Sequence, residues 1–93
     1  MVIIFEIVYA EEVVKKDIPS LSVKQKELIK QAIENKLRTN PMFFGKPLRY
    51  SLKPLRRLRA GDFRVVFMLG DQIVKILAIQ HRSVIYQNLK KMK

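Results

Sequence analysis

Apolar and polar residues alternate with different rhythms along the chain, and those rhythms predict its elements. Val2-Ile3-Ile4-Phe5-Glu6-Ile7-Val8-Tyr9 is rich in β-branched and aromatic residues, which predicts a strand. The run is short, contains Glu6 and has no basic start, so it is expected to be neither a signal peptide nor a membrane span. Between Ala10 and Ile18 the acids Glu11 and Glu12 precede the bases Lys15 and Lys16. That order suits a helix dipole and predicts a short helix stopped by Pro19. Ser22, followed three residues later by Gln25, has the form of a capping box. Leu28, Ile29, Ala32, Ile33 and Leu37 then recur at helical spacing as one apolar stripe. Asn40-Pro41 should end this helix, and residues 42–47, marked by Gly45 and Pro47, should be a connector.

The period then changes to two. Leu48 to Leu52 suggests a short strand, with Pro54 confining any pairing there to an edge or a break. Leu55 to Arg59 and Phe63 to Leu69 predict two strands joined by Ala60-Gly61-Asp62, a turn whose glycine can take a positive φ. Gly70-Asp71 predicts a second turn, and the aliphatic run Gln72 to Gln80 a central strand buried on both faces. Ser83 stands where it can cap a last helix running through Met92. The expected architecture is a single α+β domain over residues 1–93. A small antiparallel sheet of three or four strands would pack against two N-terminal helices, with a short C-terminal helix.

Charge sharpens this picture. The 93 residues carry a formal net charge of +11, and it is unevenly placed. Residues 1–45 hold seven Lys/Arg against six Asp/Glu, whereas residues 46–93 hold twelve against two. Segregated positive charge repels itself in a compact fold and implies an anionic partner. Nucleic acid, a membrane surface or an acidic protein would each serve, and nucleic acid ranks first because the cations lie in strand-like text and not along an amphipathic helix. The chain has no cysteine, hence no disulfide framework and no thiolate metal site, which fits a reducing cytoplasm.

Alternation along strands decides what each arginine can reach. Arg57 and Arg59 leave the same face of their strand. Phe63, Val65, Phe67 and Leu69 must share the core face of the next strand, so Arg64 leaves the other. In register, Arg57, Arg59 and Arg64 converge on one exposed surface; the bland alternative is three ordinary solvated arginines. His81, beside Arg82, is either a proton-transfer group titrating near pH ~6.5 or a structural strand-end histidine. Tyr86 is either a reactive phenol among cations or a packed tyrosine with its hydroxyl exposed. Met42, Phe43, Phe44 and Tyr50 are expected mainly as core side chains, with base stacking as the lesser alternative.

One histidine, no cysteine and two aspartates in the basic half do not compose a conventional zinc or two-metal site. Neither a phosphate-binding glycine loop nor a nucleophile elbow is present. Cleaving RNA requires less. The substrate's own 2′-hydroxyl attacks, so the protein must align it, move two protons and stabilise a crowded, charged phosphorane. Arginine suits the last task, because its fork of donors stays charged and matches phosphate oxygens. Arg57, Arg64, His81, Arg82 and Tyr86 would suffice, with no cofactor. Lys46, Arg49, Lys53, Arg56, Arg59, Lys90 and Lys91 would then contact the RNA backbone.

The phrase Arg59-Ala60-Gly61-Asp62-Phe63-Arg64-Val65-Val66-Phe67, followed a strand later by His81-Arg82 and Tyr86, resembles the RelE/ParE superfamily of bacterial and archaeal toxins. The expected order of elements agrees over essentially the whole chain. The resemblance implies a compact toxin of a toxin–antitoxin pair, neutralised by an acidic antitoxin that wraps it, with DNA met only indirectly through that antitoxin. It also implies one of two activities: RelE-like members cleave mRNA on the ribosome, and ParE-like members poison DNA gyrase without cutting RNA. By resemblance, Arg64 and Arg82 match the two phosphate-contacting arginines, and Tyr86 the tyrosine implicated in catalysis. Arg57 and Leu55 stand where well-studied nucleases carry lysines, and Phe63 and Phe67 replace frequent tyrosines. A leucine can neither give nor take a proton, so Lys53 or His81 would have to fill that place.

Overall fold

The computed structural model describes residues 3–47, 55–85 and 87. Strand β1, Glu6–Tyr9, leads into a helical segment made of a π-helical turn, Val13–Asp17, and a 3-10 turn, Ile18–Ser20. Helix α1, Val23–Ala32, is prolonged by a second π-helical turn, Ile33–Leu37. A four-residue helix α2, Pro41–Phe44, precedes the strands β2, Lys46–Pro47, β3, Leu55–Ala60, β4, Phe63–Leu69, and β5, Ile73–His81. No helix among the described residues is long and apolar enough to cross a membrane.

Local chemistry explains the helix starts. The Ser22 hydroxyl accepts from the Gln25 N–H at 3.2 Å, and the Gln25 side chain accepts from the Ser22 N–H at 3.0 Å. The expected capping box is therefore present, and it satisfies two donors that a helix start otherwise leaves orphaned. Pro19 does not stop the first helical segment. It sits in the first positions of the 3-10 turn, where a missing N–H costs nothing. Asn40-Pro41 likewise ends one helix and begins another, so part of the expected connector is α2.

The sheet has five strands in the order β1-β5-β4-β3-β2, against the three or four expected. It is also mixed: β1 runs parallel to β5, while the other neighbours are antiparallel. The helices carry the chain from β1 to the far edge at β2, and the meander back through β3 and β4 brings β5 beside β1 in the same direction, a pairing no hairpin could make. Gly61 takes φ +61° in the β3–β4 turn, as expected. In the next turn the positive φ of +60° falls on Gln72, not on Gly70. The expected strand over residues 48–52 and the C-terminal helix beyond Gln87 lie outside the described residues.

One face of the sheet packs on the helices. Leu58, Val65, Phe67, Val74, Ile76 and Ile79 meet Val13, Ile29, Ile33 and Leu37, all fully or almost fully buried. A smaller apolar cluster of Leu55, Val66, Ala78 and Ile85 forms separately from it. Ile29, Ile33 and Leu37 of the predicted helical stripe reach the main core, while Leu28 remains exposed. Met42, Phe43 and Phe44 are exposed as well and do not join the core. Only Pro41 anchors α2 into the interior.

Two irregularities shape the end of the sheet. A register shift between Val66 and Phe67 leaves Leu77 of β5 without a partner: Val66 pairs with Ala78, and Phe67 with Ile76. This bulge advances the alternation by one residue, which lets Ile76 and Ile79 both face the helices. The second concerns the edge, because β1 pairs only with Ile73 to Ile76 of the longer β5. Beyond it, the Asp17 carboxylate accepts from the Ile79 N–H at 2.9 Å and from the Gln80 side-chain amide at 3.3 Å. A side chain thus takes over where the neighbouring strand stops, leaving the Ile79 donor satisfied.

Candidate nucleic-acid interface

Register assigns each arginine to a face. Arg59 lies opposite Arg64, and Arg64 opposite Gln80. Arg57 lies between Lys46 of β2 and Val66 of β4. Directly paired residues project to the same side of a sheet, so Lys46, Arg57, Arg59 and Arg64 share the face away from the helices. The convergence expected of Arg57, Arg59 and Arg64 is observed, and Lys46 extends it to the sheet edge.

Arg64 carries the clearest signal. Its Nη1 donates to the carbonyl oxygens of Gly61 at 3.0 Å and Phe63 at 3.1 Å. Those carbonyls orient the guanidinium without neutralising it, and no carboxylate pairs with it among the described residues. Nε and Nη2 remain as a fork of donors for an anion. Arg82 joins this end of the sheet through the same turn: its N–H donates to the Asp62 carbonyl at 2.8 Å, one rung beyond β5. Its Nε lies 3.9 Å from an Asp62 carboxylate oxygen, with both side chains more than half exposed. Such a contact is weak enough for a phosphate to displace.

His81 is not brought to this face. It pairs with Phe63, and their rings meet edge to face with centroids 5.6 Å apart. The Ser83 N–H donates to its Nδ1 at 3.1 Å, and the Ser83 hydroxyl lies 2.8 Å from the same atom. A backbone N–H can only donate, so Nδ1 is an acceptor and the ring proton resides on Nε2. Ser83 is thus engaged with His81 in a turn, and the helix it is expected to cap lies largely outside the described residues. Arg56 also faces the helices: it pairs with Phe67, and its Nη2 donates to the Met42 carbonyl at 3.5 Å. Tyr86, Arg49, Lys53, Lys90 and Lys91 lie outside the described residues. Among the described residues, no group of three or more His, Asp or Glu is placed to hold a metal ion.

A basic sheet face beside an arginine-bearing hairpin turn is suited to meeting phosphate, and the chain as a whole has known relatives. Residues 8–86 match the family described as the ParE toxin of type II toxin–antitoxin systems, parDE. The chain belongs to this toxin family, and with it to the RelE/ParE superfamily. It is 43% identical over 53 residues to a curated Toxin RelE of Mycobacterium tuberculosis, a match spanning 55% of this chain and 55% of that toxin. The chain therefore aligns with only about half the length of that relative.

The fold matches solved toxin–antitoxin complexes. For the RelBE2 complex of Mycobacterium tuberculosis the TM-score is 0.78 at 23% identity, covering 87% of this chain and 94% of the other. For the RelB–RelE complex of Methanococcus jannaschii it is 0.66 at 22% identity, covering 85% and 94%. These likenesses establish the toxin fold and leave the site to be argued from its own residues. In this RelE/ParE toxin the expected site residues do not include Asp17 and Gln80, whose contact closes the edge of β5 next to the strand position facing Arg64. Their sequence signal is faint, because the bond joining them spans residues more than sixty positions apart.

Proposed function

We propose that this toxin is a metal-independent endoribonuclease that cuts mRNA on the ribosome, with the 2′-hydroxyl as nucleophile. The observation that carries the reading is Arg64, fixed by two neutral carbonyls and charged on the same face as Arg57, Arg59 and Lys46. Arg64 and Arg82 would bind the non-bridging oxygens of the scissile phosphate and stabilise the phosphorane. Arg57 would align the adjoining phosphate. Tyr86 is assigned a proton transfer by the family resemblance alone. His81 is assigned to holding the Ser83 turn, since its partner Phe63 puts it on the other side of the sheet from Arg64. A cognate acidic antitoxin would cover the basic half; the likeness to toxins solved in complex with RelB supports such a partner.

Primer extension on a defined mRNA in a purified translation system, with and without ribosomes, tests this. Ribosome-dependent cuts should appear with the wild type and vanish for Arg64→Ala, whose fold should survive because its side chain is only half-buried. Undiminished cutting by Arg64→Ala would refute the site. The family match favours a second reading, a ParE-like inhibitor that binds DNA gyrase and catalyses nothing. Intact mRNA together with inhibited supercoiling by purified gyrase would establish it.

A further inference from the structure

Helix α2 presents side chains that neither the fold nor the proposed cleavage site uses. Phe43 is 73% exposed, Met42 61% and Phe44 37%, although large apolar side chains favour the interior. The two rings meet edge to face with centroids 5.0 Å apart, which holds each at a set angle while leaving Phe43 open to solvent. One cation lies over the Phe44 ring, and others are close to α2 along the chain. Lys36 Nζ lies 5.7 Å from the Phe44 ring centroid, Arg56 bonds the Met42 carbonyl, and Lys46 follows two residues after Phe44. Residues 35–61 contain eight Lys/Arg and no Asp or Glu. Through Lys46, which pairs with Arg57, this cluster is continuous with the basic sheet face.

Exposed aromatic faces set among cations, in a stretch without carboxylates, match a chain that alternates flat bases with phosphates. We propose that Phe43, backed by Phe44, is a stacking platform for an unpaired RNA base, and that Lys36 and Lys46 hold the flanking phosphates. Stacking accepts any base, because every base has a π-face, so the platform adds affinity without sequence preference. A duplex keeps its bases stacked inside and cannot use it. The inference rests on the RNA reading above for its partner class, and it adds a second contact for the strand outside the cleavage site.

The test measures binding without cleavage. The probe is a fluorescein-labelled 2′-O-methyl oligoadenylate of about a dozen nucleotides, with its blunt duplex as control; it has no free 2′-hydroxyl and cannot be cut. Phe43→Ala should weaken single-strand binding about 5- to 150-fold, the equivalent of roughly 1–3 kcal/mol of base stacking, and leave duplex binding unchanged. Phe43→Tyr should retain affinity and Phe43→Leu should not, since leucine keeps apolar area but lacks a π-face. The salt slope should be the same in Phe43→Ala and wild type, whereas Lys46→Ala should reduce it by about 0.7. Melting temperatures should not change, because the ring is mostly outside the core.

The proposal is overturned if Phe43→Ala binds within about twofold of wild type, if Phe43→Leu matches wild type, or if the wild type binds the duplex as well as the single strand. Loss of affinity only for an acidic, leucine-bearing peptide would identify a protein-docking surface and overturn it equally. Cleavage and stacking fail separately. A toxin that cuts mRNA but ignores Phe43 loses this inference alone, and one that binds through Phe43 but never cuts loses only the nuclease assignment.

Discussion

Gly45 gives a sharp test of how α2 is attached to the sheet. A Cβ built on it would lie 2.2 Å from Cζ and 2.9 Å from Cε1 of Phe67, and 2.9 Å from the Pro41 carbonyl oxygen. Carbon atoms rest at about 3.5–4.0 Å, so Gly45→Ala must push the ring or the helix back by more than about 1 Å. The backbone is not the obstacle, since φ −93° and ψ 131° suit alanine well. Phe67 cannot yield easily, because it is completely buried in the main core. Overpacking of this kind costs about 1–3 kcal/mol, and in a domain of this size each kcal/mol lowers Tm by about 4–8 °C. Urea denaturation and thermal melting of Gly45→Ala measure the loss. Phe67→Leu removes the two clashing ring atoms, so the double variant should be more stable than the sum of the single losses by about 0.5–3 kcal/mol. A Gly45→Ala protein that melts within about 1 °C of wild type, or a strictly additive double variant, would refute the close approach.

Other regions of the molecule are as open to measurement. Asp17→Ala leaves the Ile79 N–H without its acceptor and should cost roughly 1–3 kcal/mol by urea denaturation, whereas Asp17→Asn, which keeps an oxygen acceptor, should cost less. Ser22→Ala removes one half of the capping box and should cost about 1 kcal/mol in the same assay. Tyr9 has its pKa raised above 10.0 first by burial and then by Glu34, with Arg38 acting the other way. A raised folded-state value favours the neutral phenol, so this contribution to stability is complete below pH 10 and is lost as pH climbs through the folded value. Tyr9→Phe should therefore flatten the alkaline fall in Tm and remove one phenolate that appears above pH 10.0 in an absorbance titration.

Much of the fold can be read from the chain because it rests on local rules. The Ser22 and Gln25 spacing specifies a helix start, Gly61 a turn, and the alternation Phe63-Val65-Phe67-Leu69 a core face. The same alternation suffices to bring Arg57, Arg59 and Arg64 to one face, since two hairpin strands carry their own phase and turn. The exposure of Phe43 is not legible in this way, because composition cannot tell a ring that packs from one that projects.

The α+β class, the capping box, the β3–β4 hairpin and the gathered arginines are therefore written in the order of residues, all set by contacts between near neighbours. The parallel pairing of β1 with β5, the Asp17 cover on the sheet edge and the side on which His81 stands arise only when the distant elements pack. Strict alternation from Ile76 would have turned His81 toward Arg64. The bulge at Leu77 reverses that phase so that Ile79 can enter the core, and His81 goes with it. Which face a strand end shows is settled by packing a whole core, and no local rule in the sequence contains that information.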